Sequence, residues 1–98
     1  MSSEHQDDRV RLHAVIHGLV QGVNFRANTQ REAAQLGLTG WVTNRFDGTV
    51  EVVAEGPRSQ VQALERFLHR GPRLAEVERV ERHYDRATGE FGGFNIRY

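Results

Sequence analysis

The densest chemical signal lies in one run near the N-terminus: Gly18-Leu19-Val20-Gln21-Gly22-Val23-Asn24-Phe25-Arg26. Alternating residues precede it and helix-forming residues follow. It therefore reads as a strand end, a glycine-bearing loop and a first helical turn that carries an arginine. The first amides of a helix have no intrahelical partner, loop amides can converge on one concavity, and the helix dipole adds partial positive charge. Anion binding, phosphate above all, is the chemistry this suits. Gly22 permits a close approach that a side chain would block, and Arg26 adds a full charge and a fork of donors. The same residue types would also make an ordinary βα turn with a solvent-facing arginine, and both readings stay open on the physics. A nucleotide P-loop is excluded because G-x-x-x-x-G-K-[ST] is missing, and there is no dinucleotide fingerprint.

Other reactive side chains are few. No cysteine is present, which removes disulfides, thiolate metal sites and cysteine nucleophiles together. His13 and His17 share a strand face but lie well apart and lack a third ligand, so solvent-facing histidines are expected rather than a metal site. His5, His69 and His83 sit among polar or charged residues, and none reads as a catalytic base. Asp47-Gly48 has the chemistry of a turn. Trp41 is expected to pack in the core or near the site, and Phe25 to lock the helix start against the sheet.

The elements that must position these residues follow from periodicity. Val10, Leu12, Ala14 and Ile16 alternate with Arg11, His13 and His17, which predicts a half-buried strand ended by Gly18. Residues 25–36 have helical composition with a thin apolar stripe of Phe25, Thr29, Ala33 and Leu36, and Gly37 stands where a helix C′ residue belongs. Residues 38–45 and 49–55 read as two strands joined at Phe46-Asp47-Gly48. Gly56-Pro57 breaks the sheet; Ser59 and Gln62 have capping-box spacing ahead of a helix whose stripe is Val61, Leu64, Phe67 and Leu68, stopped by Gly71-Pro72. Residues 75–84 are strand-like, with Val77 and Val80 out of phase unless a bulge intervenes. Phe94, Ile96 and Tyr98 give a last alternation. The order βαββαβ, plus this terminal strand, predicts an α+β ferredoxin-like sandwich with two helices packed on one face of an antiparallel sheet.

Composition bounds the rest. Ninety-eight residues fit one domain with one modest core, expected over residues 9–98 behind a flexible polar tail at 1–8. The 38% hydrophobic content and the lack of a long apolar run argue against a membrane span and against disorder, so a cytoplasmic location is expected. Thirteen basic residues, all arginine, balance thirteen acids, and a net charge of zero argues against general nucleic-acid binding. RNA recognition through the sheet would also need a Lys/Arg-Gly-Phe/Tyr-Gly/Ala-Phe pattern that the chain lacks.

Gly18-x-Val20-Gln21-Gly22-Val23-x-Phe25-Arg26, followed by Thr29, resembles the first signature of the acylphosphatase family. Gly37-Leu38-Thr39-Gly40-Trp41-Val42-Thr43-Asn44-Arg45-Phe46-Asp47-Gly48-Thr49-Val50-Glu51 resembles the second, and Gly56-Pro57 and the run 93–98 also fit. The likeness extends from about residue 9 to the end. It implies the same fold and a metal-free, cofactor-free hydrolysis of small-molecule acyl phosphates to carboxylate and phosphate, with inorganic phosphate as product and inhibitor, by a monomer. It also implies site residues: Arg26 and the amides of Gln21, Gly22, Val23 and Asn24 bind phosphate, and Asn44 orients the attacking water. At Asn24 many relatives carry an aromatic, which bears on substrate preference. An accessory domain of a larger carbamoyl-transfer protein is the alternative within the family, and hydrolysis by the isolated chain would exclude it.

Overall fold

The computed structural model describes residues 8–98. Its elements are β1 (Arg9–Leu19), α1 (Phe25–Gln35), β2 (Thr39–Asn44), β3 (Val50–Pro57), α2 (Arg58–Arg70), β4 (Glu76–Arg86) and β5 (Phe94–Arg97). The strands form one sheet in the order β4-β1-β3-β2-β5. Both helices cover the same face, α1 over β2 and β5, α2 over β1 and β4. The predicted α+β ferredoxin-like architecture is the observed one, with a correction in its sheet. Among the described residues every pairing is antiparallel except β2 with β5, which is parallel. The cause is topological: β4 ends beside Val10, at the end of the sheet where β2 begins, so the chain crosses there and β5 must run alongside β2.

The core follows the alternation. Val10, Leu12, Ala14 and Ile16 of β1, and Val50, Val52 and Ala54 of β3, meet Phe25 and Ala33 of α1 and Val61, Leu64, Phe67 and Leu68 of α2. Phe25 is buried at the helix start, its ring 6.3 Å from that of Phe67. The phase problem in β4 is a bulge: His17 faces Arg79 and Gly18 faces Val77, so Glu78 is the extra residue, and Val77 and Val80 both reach the core. α1 ends as expected on Gly37 in a left-handed conformation. The Gly37 and Leu38 amides donate to the Ala34 and Ala33 carbonyls at 3.0 and 2.9 Å, the paired closure that satisfies a helix C-terminus.

Two local expectations differ. No capping box forms at Ser59, because α2 starts two residues earlier than that cap would place it, with Pro57 as its N-cap and no side-chain cap. The Arg58 amide donates instead to the Asp8 carbonyl at 3.0 Å, and its guanidinium binds the Asp8 carboxylate at 2.8 and 3.1 Å. Of the predicted tail only Asp8 is described; residues 1–7 lie outside the described residues. Trp41 points away from the helices because its neighbour Val42 holds the core position, and the Arg97 guanidinium lies 4.4 Å from its ring centre.

On that outer face sits a buried acid. Glu55 is 1% exposed and accepts hydrogen bonds from the Thr88 amide (3.0 Å), the Thr88 hydroxyl (2.9 Å) and the Gly89 amide (2.9 Å), with Arg11 at 3.4 Å. It thereby pins the crossing segment that delivers β5.

Candidate active site

The loop between β1 and α1 is held by its apolar and amide side chains, which frees its backbone. Val20 is buried and Val23 packs against the core. The Gln21 Nε2–H group donates to the carbonyls of Arg45 (2.7 Å) and Thr49 (2.9 Å), tying the loop to the neck of the β2–β3 hairpin. Gly22 has φ +78° and Asn24 φ +64°, ψ +26°. Left-handed residues interleaved in this way let successive amides face one concavity. Asparagine is among the few non-glycine residues that adopt this conformation readily. Its side chain makes no cap; its carbonyl accepts from the Asn28 amide (3.0 Å) and side chain (2.8 Å). That backbone bond is the first of α1, so the amides of residues 24–27 precede the intrahelical ladder.

These groups open onto a cleft of about 300 Å³ whose walls include Gly22, Asn24, Arg26, Ala27, Asn44 and Tyr98. Four of the six sequence-predicted residues line this cleft: Gly22 and Asn24 from the loop, Arg26 from the first turn of α1 and Asn44 from the end of β2, two elements that pack together, whereas Gln21 and Val23 are not among its walls. The side chains of Gln21 and Val23 point to the hairpin and the core, so any part these residues take in binding belongs to their backbone. Arg26 has no ion-pair partner among the described residues. Instead its guanidinium lies 4.9 Å from the ring centre of Tyr98, a cation–π contact. The Asn44 Oδ1 atom is buried and accepts no hydrogen bond within the described chain. Leaving such an acceptor unsatisfied costs about 1–3 kcal/mol, so it calls for a partner from outside the chain or a role; Thr29 Oγ1 in α1 is the other buried side-chain atom without one among the described residues.

Among the described residues no carboxylate and no imidazole lines this cleft. His13 pairs with Glu51 at 2.7 Å, His17 with Glu81 at 3.2 Å, His69 with Glu65 at 3.0 Å and His83 with Asp85 at 3.9 Å. Among the described residues no three His, Asp or Glu side chains come together as a metal site. Asp47 serves the turn: the Thr49 hydroxyl and amide bind its carboxylate at 2.6 and 3.0 Å and hold it below the usual carboxylate range. A wider cleft of about 540 Å³ includes Arg58 and Asp8 in its walls, but there the Arg58 charge is already matched by Asp8.

Two contributors escaped the sequence reading. Tyr98 could have been found, since it continues the alternation of Phe94 and Ile96 and so falls on the helix side of β5. The bracing role of the Gln21 side chain left no local signal, because both of its acceptors are backbone atoms more than twenty residues away.

Comparison with known proteins identifies the family and the fold. The acylphosphatase family model matches residues 12–96. An acylphosphatase of Pelotomaculum thermopropionicum is 50% identical over 90 residues, covering 92% of this chain and 98% of that protein. The crystal structure of acylphosphatase from Bacillus subtilis superposes with a TM-score of 0.87 at 35% identity, covering 91% of this chain and 99% of that one. For the structure of an acylphosphatase from Coxiella burnetii the TM-score is 0.88 at 34% identity, with 97% and 99% covered. With its loop, arginine and asparagine gathered on one cleft and its likeness extending over nearly the whole length, the chain belongs to the acylphosphatase family.

Proposed function

We propose that this chain hydrolyses small-molecule acyl phosphates in the cleft between α1 and the end of β2, without a metal or cofactor. The observation that carries the reading is the buried, unsatisfied Asn44 Oδ1 on the same cleft as Arg26 and the loop residues Gly22 and Asn24. The phosphoryl oxygens lie against the amides of residues 21–24 and the Arg26 guanidinium, which supply the positive charge that phosphoryl transfer requires. Tyr98 holds the guanidinium from one side and so limits its rotamers. A water donates one hydrogen to Asn44 Oδ1, leaving a lone pair directed at phosphorus.

Attack in line breaks the bond between phosphorus and the acyl oxygen. The electron pair leaves with the carboxylate, a leaving group weakly basic enough to depart unprotonated, so the reaction asks no acid of the cleft. The water's proton passes to a phosphoryl oxygen, and an acyl phosphate dianion plus water becomes a carboxylate and dihydrogen phosphate. Among the described residues no helix is long and apolar enough to cross a membrane, and a monomer in the cytoplasm is the setting we assign.

The test separates holding from attack. Asn44→Ala should keep near-normal affinity for inorganic phosphate by calorimetry while acetyl phosphate turnover falls close to background. Loss of phosphate binding with kcat preserved at saturation would make Asn44 a binding residue and refute the water-orienting role.

A further inference from the structure

The cleft is assembled from two strands that are not neighbours. Gly22, Asn24 and Arg26 follow β1, Asn44 ends β2, and β3 lies between those strands. The sheet holds them together only as far as one row: β1 pairs with β3 up to Ile16 opposite Val50, and β2 pairs with β3 up to Asn44 opposite the same Val50. Beyond that row the loop and the β2–β3 hairpin part company. Among the described residues, the hydrogen bonds that join them there both come from the Gln21 carboxamide.

Its two acceptors are the carbonyls that close the hairpin. The Arg45 carbonyl takes the Gly48 amide at 3.1 Å and Gln21 at 2.7 Å; the Thr49 carbonyl takes the Arg45 amide at 2.9 Å and Gln21 at 2.9 Å. Gln21 thus spends both of its N–H donors on the neck of the hairpin. Arg45 follows Asn44 directly, so fixing its peptide fixes the backbone that aims Asn44. Each half of the cleft also has supports of its own. Val20 is buried and Val23 packs against the core on the phosphate side, and Asn44 is paired with Val50 on the other. What depends on Gln21 is the placement of one half against the other.

We propose that the Gln21 side chain is a positioning residue for hydrolysis: its carboxamide sets the distance between the phosphoryl group, held by the loop and Arg26, and the water held by Asn44. The inference rests on the acyl phosphate reading above and adds a side chain that acts on the attack through Asn44. Without the brace the phosphate donors stay in place while the two halves drift, so the loss falls on kcat rather than on phosphate affinity. A misplacement of about 1 Å can cost on the order of 100-fold in rate. The residue type is specified as well. Two carbonyl acceptors need a group with two donors; a methionine of similar length has none, a carboxylate only opposes them, and a protonated carboxyl gives back one donor.

The experiment measures kcat and KM for acetyl phosphate, and the calorimetric Kd of inorganic phosphate, on the parent, Gln21→Met and Gln21→Glu, with circular dichroism to verify the fold. Gln21→Met should lower kcat by roughly 10- to 100-fold while the phosphate Kd stays within about threefold of the parent. For Gln21→Glu, kcat relative to the parent should rise as pH falls through the carboxylate range, because the neutral carboxyl restores one bond to the neck. The same ratio for Gln21→Met should stay flat. A Gln21→Met kcat within about twofold of the parent, or kcat and phosphate affinity falling in equal proportion, overturns the proposal. So does a Gln21→Glu ratio that does not move with pH, and that profile alone decides if Gln21→Met does not fold. A parent that hydrolyses no acyl phosphate would instead refute the underlying activity.

Discussion

Glu55 offers the sharpest test of how the far end of the molecule supports the site. Its carboxylate is buried, and two backbone amides and one hydroxyl donate to it from the segment that carries the chain across to β5. Removing one member of a buried charged pair typically costs about 3–5 kcal/mol. The lower end applies here, because Arg11 is partly exposed and keeps Glu90 at 2.8 Å. The Thr88 and Gly89 amides, however, lose a charged acceptor. Glu55→Ala should therefore lose about 3 kcal/mol, and for a domain of this size roughly 10–25 °C of Tm. Glu55→Gln keeps one carbonyl acceptor and should lose about half as much.

The pH dependence of the same residue is set by competing effects. Burial pushes the Glu55 carboxyl up, but the hydrogen bonds from Thr88 and Gly89, with the Arg11 charge, outweigh it and hold the carboxyl below its ordinary 4.5. A folded-state pKa lowered in this way gives stability that is present above the unfolded value and is lost as pH falls through the folded one. The stability difference between the parent and Glu55→Gln, measured by urea unfolding, should hold steady above pH 4.5 and shrink below it. A Tm drop under about 3 °C for Glu55→Ala, or a difference that grows on acidification, would refute the reasoning.

Three further outcomes are expected at the site. Asn24→Gly should leave Tm nearly unchanged, whereas Asn24→Ala should lose about 1 kcal/mol by thermal unfolding, the cost of a Cβ in left-handed backbone. Arg26→Ala should damage both phosphate affinity and kcat, the latter by roughly 100- to 1,000-fold, and Arg26→Lys should recover little because a point charge cannot reproduce the fork. Inorganic phosphate should inhibit competitively and, at about ten times its Kd, stabilise the fold by about 1.4 kcal/mol in a melting assay.

Much of this was legible in the residues, for identifiable reasons. β1 and α2 each bury one regular face, so period alone locates them, and Gly37 marks a helix end that its backbone bonds then realise. Arg26 and the loop were readable as an anion site because helix starts have a general physics. Asn44 was different: its place followed from a family likeness, since no local rule makes an asparagine at a strand end reactive. What stayed hidden was long-range. Glu55 reads as the solvent side of an alternating strand, and only the return of residues 87–93 buries it. The parallel partner of β5 and the N-cap at Pro57 likewise depend on neighbours far away in sequence.

The position of β4 has a consequence for behaviour in concentrated solution. It is eleven residues long and forms one border of the sheet, leaving a row of backbone groups that another chain could pair with. Zero net charge removes the mutual repulsion that would otherwise keep copies apart. The strand compensates locally: Glu76, Glu78, Arg79, Glu81, Arg82, Asp85 and Arg86 are exposed along it, and the bulge at Glu78 interrupts its regular ladder. Any strand added there would have to desolvate these charges, among them Arg82 in its 2.8 Å contact with Glu65, which is how natural sheets protect a border from aggregation. The opposite border, β5, is only four residues long and gives little purchase. Resistance to self-association is thus written into the two outer strands rather than into the overall charge.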